Sequence, residues 1–213
     1  MKPIELQHSN LSEQVYTYIK RMILSGEIKG GERIPEERVG QLFGVSRTPI
    51  REALKRLSEY GLVHIKPRSY AVVVGLTRDE TAQLAYVRAQ LETLSARLLS
   101  EVGNDDDFDY LEKIARECDV LVARGNVADA FEKDSTFHLE IAKRSKNRHL
   151  YDIYEKIDAK IRLSWLIIKL PLDRLQSSIN QHRKIIKAMR AGDPVLSEDL
   201  MKHHILHQLT CHN

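Results

Sequence analysis

Two short helical patterns joined by Gly44-Val45-Ser46 constrain the fold of this chain more than any other feature of its sequence. The first pattern begins near Pro35, a residue that suits a helix start, and its apolar residues keep the spacing of one helix face. The second follows Ser46, a favoured N-cap residue, and keeps helical spacing through Leu57. Because glycine commonly ends a helix, we predict two short helices joined by a tight turn.

The flanking segments complete a small module. Apolar residues from Leu11 to Ile23 have helical spacing and predict a first helix of about four turns. After Gly61, residues 62–66 and 70–74 are rich in β-branched residues and predict two strands joined as a hairpin. Three helices followed by a β-hairpin form a winged helix-turn-helix, which we predict for residues 1–75.

The third helix carries a distinct polar face. Arg47, Arg51 and Lys55 recur every four residues beside Thr48, away from the apolar stripe. Such charges taken alone more often form an ordinary solvated face. In the second helix of a helix-turn-helix, however, arginine can pair with guanine and threonine can meet a thymine methyl group. The context therefore favours a DNA-reading face.

The charge distribution agrees with this interpretation. Residues 1–75 contain 12 Lys/Arg against 8 Asp/Glu, whereas residues 76–213 contain 21 against 22. A basic first third suits a module that faces nucleic acid, although an imbalance of this size is weak evidence alone. No apolar run approaches the roughly 20 residues of a membrane span, and two cysteines do not make a disulfide framework. We expect a cytoplasmic protein.

The remainder of the chain, residues 76–213, is patterned as helix almost throughout. Breaks near Gly103, Gly125, Asn147, Pro171 and Gly192 leave room for about six helices. Short connections between long amphipathic segments are typical of an antiparallel helical bundle. The predicted fold class is therefore mainly α, with a winged helix-turn-helix followed by an all-α domain.

Four polar residues of this second domain fall where apolar residues belong. Asp134 and His138 lie one turn apart inside an apolar arc, His182 lies inside another, and His204 follows Leu196 and Leu200 along one side of the last helix. An unpaired buried charge is unfavourable, whereas three imidazoles and a carboxylate are a suitable ligand set for zinc, nickel or manganese.

Other interpretations of these residues stay open at this point. Each histidine, taken singly, is more often a satisfied core residue or a surface residue than a metal ligand. Asp134 and His138 could hydrogen-bond to each other within their helix. His203 and His207 form an i, i+4 pair on the same helix as His204, and spacing alone does not choose among the three.

Residues 11–74 resemble the GntR family of transcription regulators. The resemblance is carried by Ser25 to Ile28, Gly31 to Ile34, Gly44 to Leu54 and Gly61 to Val63. It implies that α-helical residues after the glycine turn contact operator bases and phosphates, with support from the turn and the wing. The residues implied as DNA contacts are Ser46, Arg47, Thr48, Arg51 and Arg68.

The second domain resembles the FCD ligand-binding domain of the FadR-like branch of this family. The matching stretches are Val87 to Glu92, Asp134 to His138, His182 to Ala188, and Gly192-Asp193 followed by His204. The resemblance implies a divalent metal, zinc foremost, held by Asp134, His138, His182 and His204. It also implies a small organic-acid effector near the metal, with Arg88 or Arg162 close to it.

The leading functional hypothesis is a metabolite-responsive transcription regulator that binds a short palindrome as a homodimer. Repression is favoured over activation. Two alternatives remain. The His/Asp set could activate water in a metal-dependent hydrolase, although no further carboxylate is evidently placed as a general base. The metal could also be purely structural, with effector control lost.

Overall fold

The computed structural model describes residues 5–66, 70–168 and 172–207, and these are mainly helical. The chain divides into two compact units, Met1–Leu76 and Thr77–Asn213. The predicted boundary lies one residue earlier.

Within its described residues, the N-terminal unit contains three helices and a hairpin, as predicted. The helices are α1 (Glu5–Leu24), α2 (Glu36–Phe43) and α3 (Arg47–Glu59), and the strands are β1 (Val63–Lys66) and β2 (Tyr70–Val73). The strands pair antiparallel, with Val63 opposite Val73 and Lys66 opposite Tyr70. Residues 67–69, which include the predicted contact Arg68, lie outside the described residues.

The turn between α2 and α3 forms for the reason that the sequence suggests. Gly44 has φ 61° and ψ 32°, a left-handed conformation that glycine adopts without strain. Ser46 occupies the N-cap position of α3, but its side chain makes no capping hydrogen bond, so the predicted capping interaction is absent. Apolar faces of α1 and α3 form the core of the unit, in which Val15, Ile19 and Leu57 are fully buried.

The C-terminal unit contains six helices within its described residues, which confirms the predicted bundle. They are α4 (Arg78–Val102), α5 (Asp105–Ala123), α6 (Val127–Arg144), α7 (Arg148–Ile168), α8 (Leu172–Arg190) and α9 (Pro194–His207). Thr77 and Asn104 begin α4 and α5 with capping boxes, which satisfy orphan amides of the first helical turn.

Helix α4 is central to the bundle. It packs along α9 and also contacts α6, α7 and α8, while α5 packs against α6 and α8. Apolar side chains from most of these helices, such as Leu99, Leu111, Phe137 and Met189, share one buried core. Polar residues that α4, α6, α8 and α9 direct into this interior are therefore brought close together. Among the described helices, none has both the length and the hydropathy that a bilayer crossing requires.

Candidate metal centre and nucleic-acid interface

Four buried side chains meet in the interior of the helical unit. Asp134 and His138 come from α6, His182 from α8 and His204 from α9, and all four are at most 1% exposed. One ligand atom from each lies within 4.8 Å of the corresponding atom of every other. Ligands about 2.1 Å from a shared ion would be separated by roughly 3 to 4 Å, so the four atoms need only a small contraction.

His204 is buried, but one of the two residues predicted to share its side of α9 is not. Leu196, assigned to the same inward side, is 45% exposed. The buried face of α9 is instead formed by Ser197, Met201, His204 and Ile205, because this is the face that packs along α4. His204 faces the interior, and Leu200 packs against the core, but Leu196 does not share that side.

In two of the imidazoles an acceptor oxygen lies beside Nδ1, which orients Nε2 toward the centre. Nδ1 of His138 lies 2.6 Å from Oε2 of Glu92, and Nδ1 of His204 lies 3.1 Å from Oε1 of Gln181. Both partner oxygens are acceptors, so each Nδ1 carries the proton. The two Nε2 atoms, 3.2 Å apart, then face each other with lone pairs. This arrangement is unfavourable unless a cation lies between them.

Asp134 and His182 complete the ring of ligand atoms. Oδ1 of Asp134 lies 3.3 Å from Nε2 of His182 without hydrogen-bond geometry, and Oδ2 lies 3.8 Å from Nε2 of His138. Among the described residues, no group satisfies either carboxylate oxygen or either ring nitrogen of His182. A buried polar group without a partner costs about 1–3 kcal/mol. A divalent ion would satisfy the inward-facing atoms together, so the residues present fit a metal.

The electrostatics of Asp134, His182 and His204 favour the protonation states that bind metal. Burial lowers the pKa of both His182 and His204, and neighbouring histidines lower the pKa of His204 further. Burial alone would raise the pKa of Asp134, but the interactions with His182 and His138 give a net lowering. Neutral imidazoles and an ionised carboxylate are the protonation states that coordinate metal.

A second layer of buried polar groups surrounds His138. Oε1 of Glu92 accepts from Nε of Arg88 at 2.5 Å and from the hydroxyl of Tyr154 at 2.6 Å. Burial opposes ionisation of Glu92, but Arg88 and then His138 outweigh it and lower its pKa to about 2. Glu92, Tyr154 and Gln181 were not predicted as site residues from the sequence. The available signal was the i, i+4 pair Arg88 and Glu92 on the inward face of α4.

The two predicted effector contacts have different surroundings. Arg88 is buried beside Glu92, and its guanidinium lies 5.4 Å from the centre of the Trp165 ring. Nε of Arg162 instead lies 2.7 Å from Oδ2 of Asp158, and Arg162 also pairs with Glu132. Contacts through Glu92 thus bring Arg88 next to the four-residue centre, whereas the ion pairs of Arg162 are with Asp158 and Glu132.

Solvent exposure distinguishes between the histidines of α9 as candidate metal ligands. The side chain of His203 is 76% exposed, and its Nδ1 lies 2.9 Å from the carbonyl oxygen of Asp199. The side chain of His207 lies outside the described residues. Of the neighbouring pair His203 and His204, therefore, only His204 faces the interior.

The exposed face of α3 lies opposite its buried stripe. Arg47, Thr48 and Arg51 are all exposed, and Arg47 and Arg51 line a groove together with Ser46. The groove also contains basic and aromatic residues that were not predicted as DNA contacts, together with two carboxylates. These further residues are Arg33, Arg38, Tyr70, Glu36 and Glu37. The guanidinium carbon of Arg33 lies 3.7 Å from the centre of the Tyr70 ring. This contact joins the first residue of β2 to the groove.

Two protein families match the chain, and together they span nearly all of it. The family described as bacterial regulatory proteins, gntR family, matches residues 11–73, and the FCD domain matches residues 83–207. The second match alone covers more than half of the chain.

Individual relatives agree with these families. The HTH-type transcriptional regulator YdhC of Bacillus subtilis is 28% identical over 194 residues, which are 91% of this chain and 85% of that protein. The probable D-xylose utilization operon transcriptional repressor of Paenarthrobacter nicotinovorans is 26% identical over 205 residues, 94% and 88% of the two chains. The structure of E. coli McbR/YncC, 22% identical, superposes with a TM-score of 0.76 over 95% of this chain and 99% of that one, which shows a shared fold.

These matches identify a DNA-binding transcription regulator rather than an enzyme, so the metal-dependent hydrolase alternative is not supported. The winged helix-turn-helix and the helical unit both correspond to the matched families. The chain belongs to the GntR family of bacterial regulatory proteins, with a C-terminal FCD domain.

Proposed function

We propose that this regulator is a repressor that binds a short palindromic operator as a homodimer, and that a small organic acid bound at a metal ion changes its operator affinity. Residues 1–75 would bind DNA through Ser46, Arg47, Thr48, Arg51 and Arg68. Residues 76–213 would bind the metal and the effector and form the dimer. The observation that carries this proposal is the buried cluster of Asp134, His138, His182 and His204, in which the carboxylate oxygens of Asp134 and the ring nitrogens of His182 have no hydrogen-bond partner among the described residues.

Zinc is the metal that we favour, with nickel or manganese as the alternatives. Three imidazole nitrogens and one carboxylate oxygen suit zinc. Nickel or manganese can take up to six ligands, so four protein ligands would leave coordination positions open for an exogenous group. A bound divalent ion would supply a positive charge for an acidic effector. Arg88, adjacent to the cluster through Glu92, would add to that field, and the family resemblance also assigns Arg162 to the effector.

The sign of regulation and the location are proposed on other grounds. The relative from Paenarthrobacter nicotinovorans is named as a repressor of a sugar-utilization operon, which supports repression by this chain as well. Release of DNA in response to a metabolite would suit such a role. A regulator that binds chromosomal operators acts in the cytoplasm, and we propose that location here.

The proposed dimer has a candidate seam on α4. Five apolar residues repeat at alternating spacings of three and four, which is the pattern of a helix that pairs with another helix. They are Leu84, Val87, Leu91, Leu94 and Leu98. In the single chain, Val87 is 51% exposed and Leu94 is 42% exposed. Ile153 of α7 is also exposed, at 51%. Pairing of two copies would cover these side chains, and a two-fold axis would match a palindromic operator.

Leu94→Glu is expected to convert the dimer to a monomer. The substitution places an unpaired carboxylate in the seam, and a buried charge without a partner typically costs 3–5 kcal/mol, so dimerisation should weaken more than 100-fold. Sedimentation equilibrium measures the change. Val120→Glu is the matched control, because Val120 is 47% exposed on α5, away from the seam. A Leu94→Glu protein that remains as dimeric as Val120→Glu would rule out this seam.

The regulatory response is tested with the zinc-loaded protein and operator DNA selected from a random duplex pool. A panel of hydroxy- and dicarboxylic acids is added, and operator affinity is measured by fluorescence anisotropy. At least one acid is expected to change the affinity by 5- to 150-fold, the usual range of allosteric coupling. The response should disappear when a chelator removes the metal. Stoichiometric zinc with no response to any acid would instead favour a purely structural metal.

A further inference from the structure

Glu92 is the most heavily engaged buried carboxylate around the centre. Its Oε1 accepts from Nε of Arg88 and from the hydroxyl of Tyr154, and its Oε2 faces Nδ1 of His138 at 2.6 Å. Glu92 is 1% exposed, so water does not compete for either oxygen. Two of its partners fix the carboxylate in place, and the third is a member of the four-residue centre.

This arrangement leaves His138 only one nitrogen for a metal. An ionised carboxylate accepts hydrogen bonds and donates none, so the proton of a neutral His138 imidazole lies on Nδ1. Its Nε2 then carries a lone pair and faces Nε2 of His204 at 3.2 Å and Oδ2 of Asp134 at 3.8 Å. For His182 the carboxylate lies beside the other ring nitrogen, because its Nε2 is 3.3 Å from Oδ1 of Asp134.

We propose that Glu92 is a positioning residue of the metal centre: its carboxylate, held by Arg88 and Tyr154, fixes the tautomer and ring orientation of His138 and strengthens its Nε2 as a ligand. The inference rests on the metal site proposed above. A carboxylate behind a ligating imidazole raises the basicity of the ring, and loss of such a partner typically weakens metal affinity 10- to 100-fold.

The chain offers a matched control for the loss of this carboxylate. Asp158 on α7 is 1% exposed and pairs with Arg162 four residues on, as Glu92 pairs with Arg88. Asp158 acts on Tyr154 through its charge, but its ion pair is with Arg162. Asp158→Asn therefore removes a comparable buried charge from the same domain while it keeps the contacts of Glu92 with Arg88, Tyr154 and His138.

The test measures zinc affinity of the full-length protein by competition with a chromophoric chelator. Glu92→Gln is expected to bind zinc 10- to 100-fold more weakly than wild type, and Asp158→Asn within about threefold of it. Cobalt, used as a spectroscopic substitute, should give an altered d–d spectrum with Glu92→Gln only. A purely structural role of Glu92 would leave the spectrum of the bound cobalt unchanged.

A second variant guards against misfolding. Glu92→Asp keeps a negative charge near Arg88 but withdraws the carboxylate by one methylene from His138, so its zinc affinity should also fall about tenfold or more. If wild type and both Glu92 variants bound zinc equally tightly, the role of Glu92 would be overturned and the metal site would stand. Failure of the wild-type protein to bind zinc would overturn the metal site and this inference together.

Discussion

His182→Leu is expected to abolish the response of protein stability to zinc while leaving the metal-free protein at least as stable as wild type. His182 is fully buried, and its ring stacks on Phe137 with centroids 4.0 Å apart. Leucine fills a similar volume and preserves this packing. It removes two ring nitrogens that lack hydrogen-bond partners within the described part of the chain, which relieves a penalty of about 1–3 kcal/mol for each unsatisfied group. We expect this gain to outweigh the loss of the His182 interaction that lowers the pKa of Asp134.

Zinc should reverse the order of stabilities. An ion that binds only the folded state stabilises it by RT ln(1 + [L]/Kd), which is about 4 kcal/mol at a free concentration 1,000 times the Kd. Wild type gains this free energy, whereas the variant lacks one of four ligands and should gain little. Urea unfolding with and without zinc, at one fixed protein concentration, measures both free energies of unfolding.

His203→Leu is the matched control for this experiment. His203 adjoins the proposed ligand His204 on α9, but its side chain is 76% exposed. Its zinc-dependent stabilisation should equal that of wild type. Equal zinc stabilisation of His182→Leu and wild type would remove His182 from the ligand set, and a metal-free variant several kcal/mol less stable than wild type would contradict the argument from unsatisfied nitrogens.

The sequence was sufficient to predict residues whose position depends on their own helix. Asp134, His138 and His182 interrupt strongly amphipathic segments, so their inward direction follows from spacing alone. The winged module was predictable for a similar reason, because Gly44 and the apolar spacing on either side of it fix local geometry. These features need no knowledge of the neighbouring helices.

Residues whose role depends on packing between helices were not predictable in this way. The sequence left open which histidine of α9 faces inward, and His204 does so because α9 packs along α4. Glu92 lies 46 positions before His138 in the chain, and only the α4–α6 contact brings their side chains to 2.6 Å. Helical periodicity places a residue on a face, but it does not identify the partner across an interface.

Arg47→Ala and Arg51→Ala are each expected to weaken specific operator binding by about 1–3 kcal/mol, or roughly 5- to 150-fold. Both side chains are exposed on α3 and line the same groove. No carboxylate in the described ranges forms an ion pair with either, so DNA would not have to displace an internal partner. Surface substitutions usually change folding stability by less than about 0.5 kcal/mol, so the loss should reflect DNA contacts.

The salt dependence of binding distinguishes the two kinds of contact. A lost phosphate contact should lower the slope of log affinity against log salt by about one, whereas a lost base contact should relax sequence preference at one position. Arg116→Ala on α5 is the control, because it removes an exposed arginine outside the DNA-binding module, where Arg116 pairs only loosely with Glu112 at 3.5 Å. Anisotropy titrations on the selected operator should place this control at wild-type affinity. If Arg47→Ala and Arg51→Ala both bound as tightly as the control, α3 would lose its assignment as the recognition helix.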